Sequence, residues 1–292
     1  MRLGFMIVFM LGLIWAKSQH ASCKHVILIG FDGFGAYSVP IANMPILKSM
    51  MENGAYSLSC RSVLPSSSAV NWASMLMASP PELHGFTEWG SQTPELPSRV
   101  IGPGNIFPSV IGILELQKPE VKTAVIYNWD GIGYLFEKNM ADSVYNAAMD
   151  SKVAYKACQW IKTMKPGFLF IHFDEPDGAG HEKGHGSPEY YKQLELNDTR
   201  LGMVLKAVKD AGIEKETLII LTADHGGTDK GHGGKTMAEM QVPLVFYGAG
   251  VKKQPEMQQS IMVYDIGATI AWLFGLEFPQ VWTGRPVKQA FQ

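Results

Sequence analysis

Residues 25–35 read HVILIGFDGFG. A short, β-branched apolar run that ends in an Asp-Gly pair reads as a strand buried on both faces, as in parallel sheets. It puts the Asp32 carboxylate at the carboxyl end of that strand, the edge where α/β proteins bind their ligands. The same grammar returns in GFLFIHFDEPD at 167–177 and in TLIILTADHGG at 217–227. Strands are expected over 25–31, 56–64, 123–127, 167–173, 217–222 and 242–247. Helical spacing is expected near 44–52, 68–78, 106–116, 152–164, 188–211 and 266–274. Strands alternating with helices predict an α/β fold, a three-layer αβα sandwich with a mostly parallel central sheet. The stretch 85–105, rich in Pro, Gly and Ser and carrying Trp89, breaks the alternation as an irregular excursion. Long structureless loops in such domains are often functional.

The chain opens with Arg2 and an apolar run over 3–16, too short to span a bilayer but suited to a signal peptide. Cleavage is expected after Ser18, leaving a single catalytic domain over 23–292 that is secreted or periplasmic and meets the membrane only through its leader. Cys23 lacks the apolar residue three positions upstream that lipoprotein processing uses. Losing the leader removes Arg2 and Lys17 but no acidic residue, taking the formal charge from −2 to −4. Lys and Arg are scattered, without the basic stripe of a nucleic-acid binder. The three cysteines have no C-x-x-C spacing and are too few for a disulfide scaffold.

Residues able to hold metal gather at the strand ends. Asp224 and His225 offer a hard oxygen and a borderline nitrogen, with Gly226 and Gly227 permitting the bend they need. His232 follows closely enough to fold back to the same edge. Asp177 and His181 occupy EPDGAGHEKG, where Asp174 and Glu175 are alternative carboxylates. Pro176, Gly178, Gly180 and Gly184 argue against a regular helix there, so this pair is expected on a turn. Asp32, Ser68, Asp177, His181, Asp224, His225 and His232 together suit two zinc-like ions with a nucleophile between them.

Ser66, Ser67 and Ser68 precede the helix-like AVNWASMLMA. A serine there is commonly an N-cap, yet a helix N-terminus also favours a phosphate oxygen. Asn71, one turn on, can donate its amide to a non-bridging oxygen. With no cysteine in the segment, the modified-cysteine nucleophile of sulfatases has no precursor. Two other motifs are decoys. HEKGH at 181–185 matches the H-E-x-x-H of zinc proteases, which requires a helix. KGHGGKT at 230–236 resembles the end of a P-loop, but Asp229 stands where its first glycine belongs. His84, His172 and His185 receive no role. Trp72 and Trp89 are either core residues or platforms for a substrate ring.

The segment RSVLPSSSAVNWASMLMASPPELHGF, 61–86, resembles the nucleophile segment of the alkaline phosphatase superfamily, in its nucleotide pyrophosphatase/phosphodiesterase-like branch. EPDGAGH is similar to that branch's E-P-D-x-x-G-H. The resemblance extends over 25–274 and implies an alkaline phosphatase-like fold. It implies Ser68 as nucleophile, in place of the usual Thr, and Asn71 as a contact to the phosphoryl oxygen. It further implies one zinc ion on Asp177, His181 and His232, and a second on Asp32, Asp224 and His225. Ala69 and Val70 replace the family's bulky apolar residues, and the chain is shorter than many relatives. The expected function is therefore a di-zinc phosphodiesterase, with Zn2+ replaceable by other divalent ions. It takes a small phosphoester substrate and works through a phosphoserine. The rivals are a phosphomonoesterase or phosphonate hydrolase on the same site, a secreted binding protein without catalysis, and an H-E-x-x-H metalloprotease. A dianionic monoester favours an added arginine clamp, for which Arg61, Arg99, Arg200 and Arg285 are the candidates.

Overall fold

The computed structural model describes residues 23–291, so the expected leader over 1–18 lies outside the described residues. Its strands are β1 (His25–Phe31), β2 (Ala55–Arg61), β3 (Thr123–Tyr127), β4 (Ser143–Asn146), β5 (Phe168–Phe173), β6 (Thr217–Thr222) and β7 (Gln241–Gly248). They form one seven-stranded sheet in the order β2-β7-β6-β1-β5-β3-β4. β1 pairs parallel with both β5 and β6, and β3 pairs parallel with both β5 and β4. β7 runs antiparallel to β6 and to β2, so the sheet is mostly parallel, as expected. In β1, Val26, Ile27, Leu28, Ile29 and Phe31 are essentially inaccessible. Burying each such side chain is worth about 1.5–3 kcal/mol, which explains why this strand occupies the centre.

The helices are α1 (Pro45–Asn53), α2 (Ser68–Leu76), α3 (Pro81–His84), α4 (Val110–Gln117), α5 (Asp150–Thr163), α6 (Asp177–Lys183), α7 (Pro188–Asp210), α8 (Met237–Met240) and α9 (Tyr264–Leu273). α1, α5 and α6 pack with α7, while α2 and α4 pack with α9. Successive residues of β5 show that the two groups cover opposite faces. The His172 ring meets Trp72 of α2 at 5.1 Å, while the Phe173 ring lies 6.0 Å from the Arg200 guanidinium of α7. This is a three-layer sandwich.

Three local expectations are corrected. β2 stops at Arg61 instead of 64, because the Val63 N–H donates to Asn71 Oδ1 at 2.7 Å as the chain turns away from the sheet. α4 starts at Val110 instead of 106, where the Ser109 hydroxyl accepts from Ile111 N and Gly112 N. β4, the four residues SVYN, was not anticipated. It is a partly exposed edge strand without an apolar run to announce it. The excursion over 85–105 is irregular as expected, apart from a single turn of 3-10 helix at Pro103–Asn105.

The register aligns the ends of the central strands. Gly30 sits beside His172 of β5 and Thr222 of β6, so the segments that follow all three strands leave from one edge. Gly30 itself is required by packing, since a Cβ there would lie 2.2 Å from the Trp72 ring.

Candidate metal centre and active site

The corner after β5 differs from its sequence reading. Asp177–Lys183 is a helix, α6, so Asp177 and His181 are held by helical i,i+4 spacing and not by a turn. Pro176 precedes the first turn, where its missing N–H costs nothing. Glu175 Oε2 accepts the Ala179 N–H at 3.0 Å. Gly180 is required within this helix despite its low propensity, because a Cβ there would strike the His185 ring at 2.5 Å. The helix ends at Gly184, with φ of 106°, which leaves His185 outside it. The H-E-x-x-H register of a zinc protease is therefore not built.

Asp177 is the carboxylate that faces the histidines. Its Oδ2 lies 3.1 Å from His181 Nε2 and 3.9 Å from His232 Nε2. Asp177, His181 and His232 form one group whose ligand atoms all lie within 4.8 Å of one another, and Asp32, Asp177 and His225 form another. Asp177 thus contributes to both groups. Asp224 completes the second side, with Oδ2 3.2 Å from His225 Nε2.

The three histidines share one arrangement. His181 Nδ1 is 3.0 Å from Lys230 O, His225 Nδ1 is 2.7 Å from Gly226 O, and His232 Nδ1 is 3.2 Å from Ser66 O. A carbonyl can only accept, so each Nδ1 carries a proton, and in its neutral form each ring presents an Nε2 lone pair inward. This is how imidazole ligands are oriented by their outer partners. Asp177 Oδ1 and Asp224 Oδ2 are buried without a hydrogen-bond partner. Inward lone pairs beside orphaned carboxylate oxygens are a donor set that fits divalent cations.

The electrostatics agree. Burial, then the charges of Asp32 and Asp177, push the Asp224 carboxyl well above its usual range. Burial also opposes ionisation of Asp177, but the His181 hydrogen bond and the His225 and His232 charges prevail and hold it near about 2. The Asp177 hydrogen bond lifts His181 to about 9, whereas burial lowers His232 to about 4. Crowded carboxylates of this kind are relieved by a bound cation.

Ser68 opens α2 and faces this cluster. Its Oγ lies 3.1 Å from His225 Nε2 and donates to Asp32 Oδ1 at 3.4 Å. Asn71 is fully enclosed. Its Oδ1 accepts from Val63 N, and its Nδ2 donates to Pro65 O at 3.1 Å and Ser67 O at 3.0 Å, bracing the serine loop. One N–H at the helix N-terminus is also taken, since Ala69 N donates to Trp89 O at 3.1 Å.

Sequence reasoning missed the groups that hold Asp32. His172 Nε2 and Trp72 Nε1 both sit 2.9 Å from Asp32 Oδ2, so this carboxylate is clamped from the α2 side. Trp72 is thereby a core residue with a polar task, not a substrate platform. One signal was available: His172 is the one polar residue in the apolar run of β5. Asp150 was missed too. It is buried and accepts from Asp174 N at 3.0 Å and Glu175 N at 3.2 Å, fixing the backbone that leads into Asp177. His185 has an enclosed side chain, with Nε2 3.6 Å from Asp177 Oδ1.

A cavity of about 540 Å³ opens beside the cluster, lined by Pro65, Ser67, Glu88, Trp89, His181 and His232 among others. None of the four arginines of the described residues lines it. Arg200 instead points to Asp150 Oδ2 at 3.4 Å. No helix of the described residues is long and apolar enough to cross a membrane, and Cys23, Cys60 and Cys158 are free.

Residues 26–242 match the family model for type I phosphodiesterase / nucleotide pyrophosphatase. Ectonucleotide pyrophosphatase/phosphodiesterase family member 1 of Mus musculus is 25% identical over 249 residues, covering 78% of this chain and 27% of that protein. The venom phosphodiesterase of Macrovipera lebetinus is 26% identical over 231 residues, covering 72% of this chain and 27% of that protein. The chain thus spans about a quarter of the length of these relatives. Among solved structures, murine ectonucleotide pyrophosphatase / phosphodiesterase 5 in complex with AMP superposes with a TM-score of 0.76 at 14% identity, covering 92% of this chain and all of that one. That likeness shows the fold, an alkaline phosphatase-like α/β sandwich. With the family model spanning most of the sheet and every strand-end corner of the site, the chain belongs to the type I phosphodiesterase / nucleotide pyrophosphatase family of the alkaline phosphatase superfamily.

Proposed function

We propose that this chain is an exported hydrolase of phosphoric diesters, with one catalytic domain over 23–292, two zinc ions and Ser68 as nucleophile. The observation that carries the reading is the position of Ser68 Oγ, at a helix N-terminus and within 3.1–3.4 Å of His225 Nε2 and Asp32 Oδ1. In the first step the Ser68 Oγ–P bond forms as the ester P–O bond breaks, and the alcohol departs with a proton. Water then cleaves the Oγ–P bond and restores the serine. When bound, zinc supplies the positive charge that lowers the pKa of the attacking hydroxyl and offsets charge on the leaving oxygen. Asp177, His181 and His232 would hold one ion and Asp32, Asp224 and His225 the other, with Asp177 between them. Asp32 accepts the Ser68 hydroxyl and keeps it aimed. Asn71 is the phosphoryl contact that the family pattern implies, and to reach that oxygen its amide must release Pro65 O or Ser67 O.

A diester is favoured over a monoester because no arginine of the described residues lines the cavity to clamp a second negative charge. Nucleotides belong to the candidate substrates because AMP occupies the structurally similar murine protein. The zinc-loaded enzyme should show at least about tenfold higher kcat/KM on bis-p-nitrophenyl phosphate than on p-nitrophenyl phosphate. A reversed preference would sink the diester reading.

A further inference from the structure

Asp150, the first residue of α5, is enclosed within the protein, with 2% of its side chain exposed. A buried carboxylate is costly unless it is paired and its oxygens are hydrogen-bonded. Its Oδ1 accepts from Asn128 Nδ2 at 2.9 Å and Asp174 N at 3.0 Å, and its Oδ2 accepts from Glu175 N at 3.2 Å. The cation beside it is Arg200 of α7, whose guanidinium donates to Oδ2 at 3.4 Å.

Arg200 also donates to Asn197 Oδ1, three residues earlier on α7. A guanidinium can only donate, so the Asn197 amide is turned with its Nδ2 away from it, and Nδ2 donates to Glu175 O at 2.6 Å. The Glu175 backbone is thereby held on both sides, its N–H by Asp150 and its C=O by Asn197. Asn197 opens the glycosylation sequon Asn197-Asp198-Thr199, yet it is fully buried and its amide nitrogen is engaged. The side chain serves the fold, not the surface.

We propose that Asp150, Arg200 and Asn197 act together as positioning residues for Asp177, so that α7 sets the geometry of both metal-binding groups through the one carboxylate they share. α5 and α7 pack against each other, and an ion pair that served only this packing would need no third element. Here the backbone atoms held belong to neither helix. They are those of Asp174 and Glu175, in the segment that leads from β5 into Asp177. Glu175 passes the constraint on, since its Oε2 accepts the Ala179 N–H within α6. Asp177 belongs to both metal-binding groups, so a displaced corner moves a ligand of each ion. Outer partners that orient a ligand in this way tune metal affinity without touching the metal.

The brace depends for its function on the two-ion reading of the centre, and two measurements keep them apart. Arg200→Met retains a stem against the Phe173 ring and deletes the donors, while Asp150→Asn retains the shape and removes the charge. In competition with a chelating dye, each variant should hold both zinc ions about 10–100-fold more weakly than the parent. Affinity equal to the parent's, or weakening confined to one ion, overturns the proposal. Hydrogen exchange is then followed in the metal-free proteins. The Asp174 and Glu175 amides should exchange at least about tenfold faster in the variants, with the amides of β1 at the parent's rate. Exchange that rises equally in β1, or in neither place, leaves the network a role in general stability alone and overturns the proposal. If Asp150→Asn does not fold, Arg200→Met carries both measurements. A parent that binds no zinc counts against the two-ion reading alone, and the exchange rates then decide the brace.

Discussion

The Nε2 atoms of His181 and His232 stand 3.2 Å apart, each aimed at the other because its Nδ1 is bound to a backbone carbonyl. Two unprotonated imidazole nitrogens facing one another repel unless a cation or proton lies between them. His232→Ala removes one of the pair. The variant should bind about one zinc ion per chain, against the two proposed for the parent, as read by elemental analysis after dialysis. Undiminished zinc in the variant would refute the assignment of this histidine.

Ser68 tests the nucleophile separately from the metal. Its Oγ is the only part of the side chain that meets His225 and Asp32, and alanine retains the helix start. Ser68→Ala should lose diester turnover by at least about a thousandfold while keeping most of its zinc. Turnover close to the parent's would remove Ser68 from the mechanism.

Trp72 acts on the centre through Asp32. Trp72→Phe keeps an aromatic ring against Phe170 but deletes the N–H that meets Asp32 Oδ2 at 2.9 Å. Loss of an outer hydrogen bond of this kind typically costs about 10–100-fold in metal affinity. Competition with a chelating dye should show zinc held correspondingly more weakly, whereas a purely packing role predicts lower thermal stability with zinc affinity unchanged.

His84 predicts an acid sensitivity unrelated to metal. Its imidazole is buried, accepting from Phe86 N at 3.1 Å and lying 2.9 Å from Ser74 Oγ, and burial drives its pKa from 6.5 down to about 3. Between those values the unfolded chain binds the proton that the folded chain refuses. Stability contributed by the neutral ring is therefore complete above pH 6.5 and falls as pH drops towards 3. The loss at the acid end is on the order of 5 kcal/mol. His84→Asn, which retains an acceptor for Phe86 N, should flatten the dependence of Tm on pH in this window. An equally steep profile in the variant would assign the effect to other groups.

Much of the architecture is written in single residues of the sequence. The apolar runs before Asp32, Asp174 and Asp224 encode buried parallel strands, because only a strand covered on both faces tolerates so continuous a run. Strand ends then fix where the following side chains appear, so Asp32, Asp224 and His225 were legible as neighbours although nearly 200 residues separate them. Ser68 and the 85–105 excursion were legible for similar local reasons.

What only the tertiary structure decided are relationships with no local signature. Asp177–Lys183 is helical although its glycines oppose it, and Gly180 is required there because the His185 ring fills the space its Cβ would need. The tautomers of three histidines follow from carbonyls up to 166 residues away. The clamp on Asp32 joins α2 and β5, and the exposure of Trp89 depends on a turn braced by Glu95. Sequence patterns report burial and chain reversal, which are properties of a segment. Hydrogen-bond partners, ring contacts and helix formation against propensity are properties of packing, and they exist only once distant segments have met.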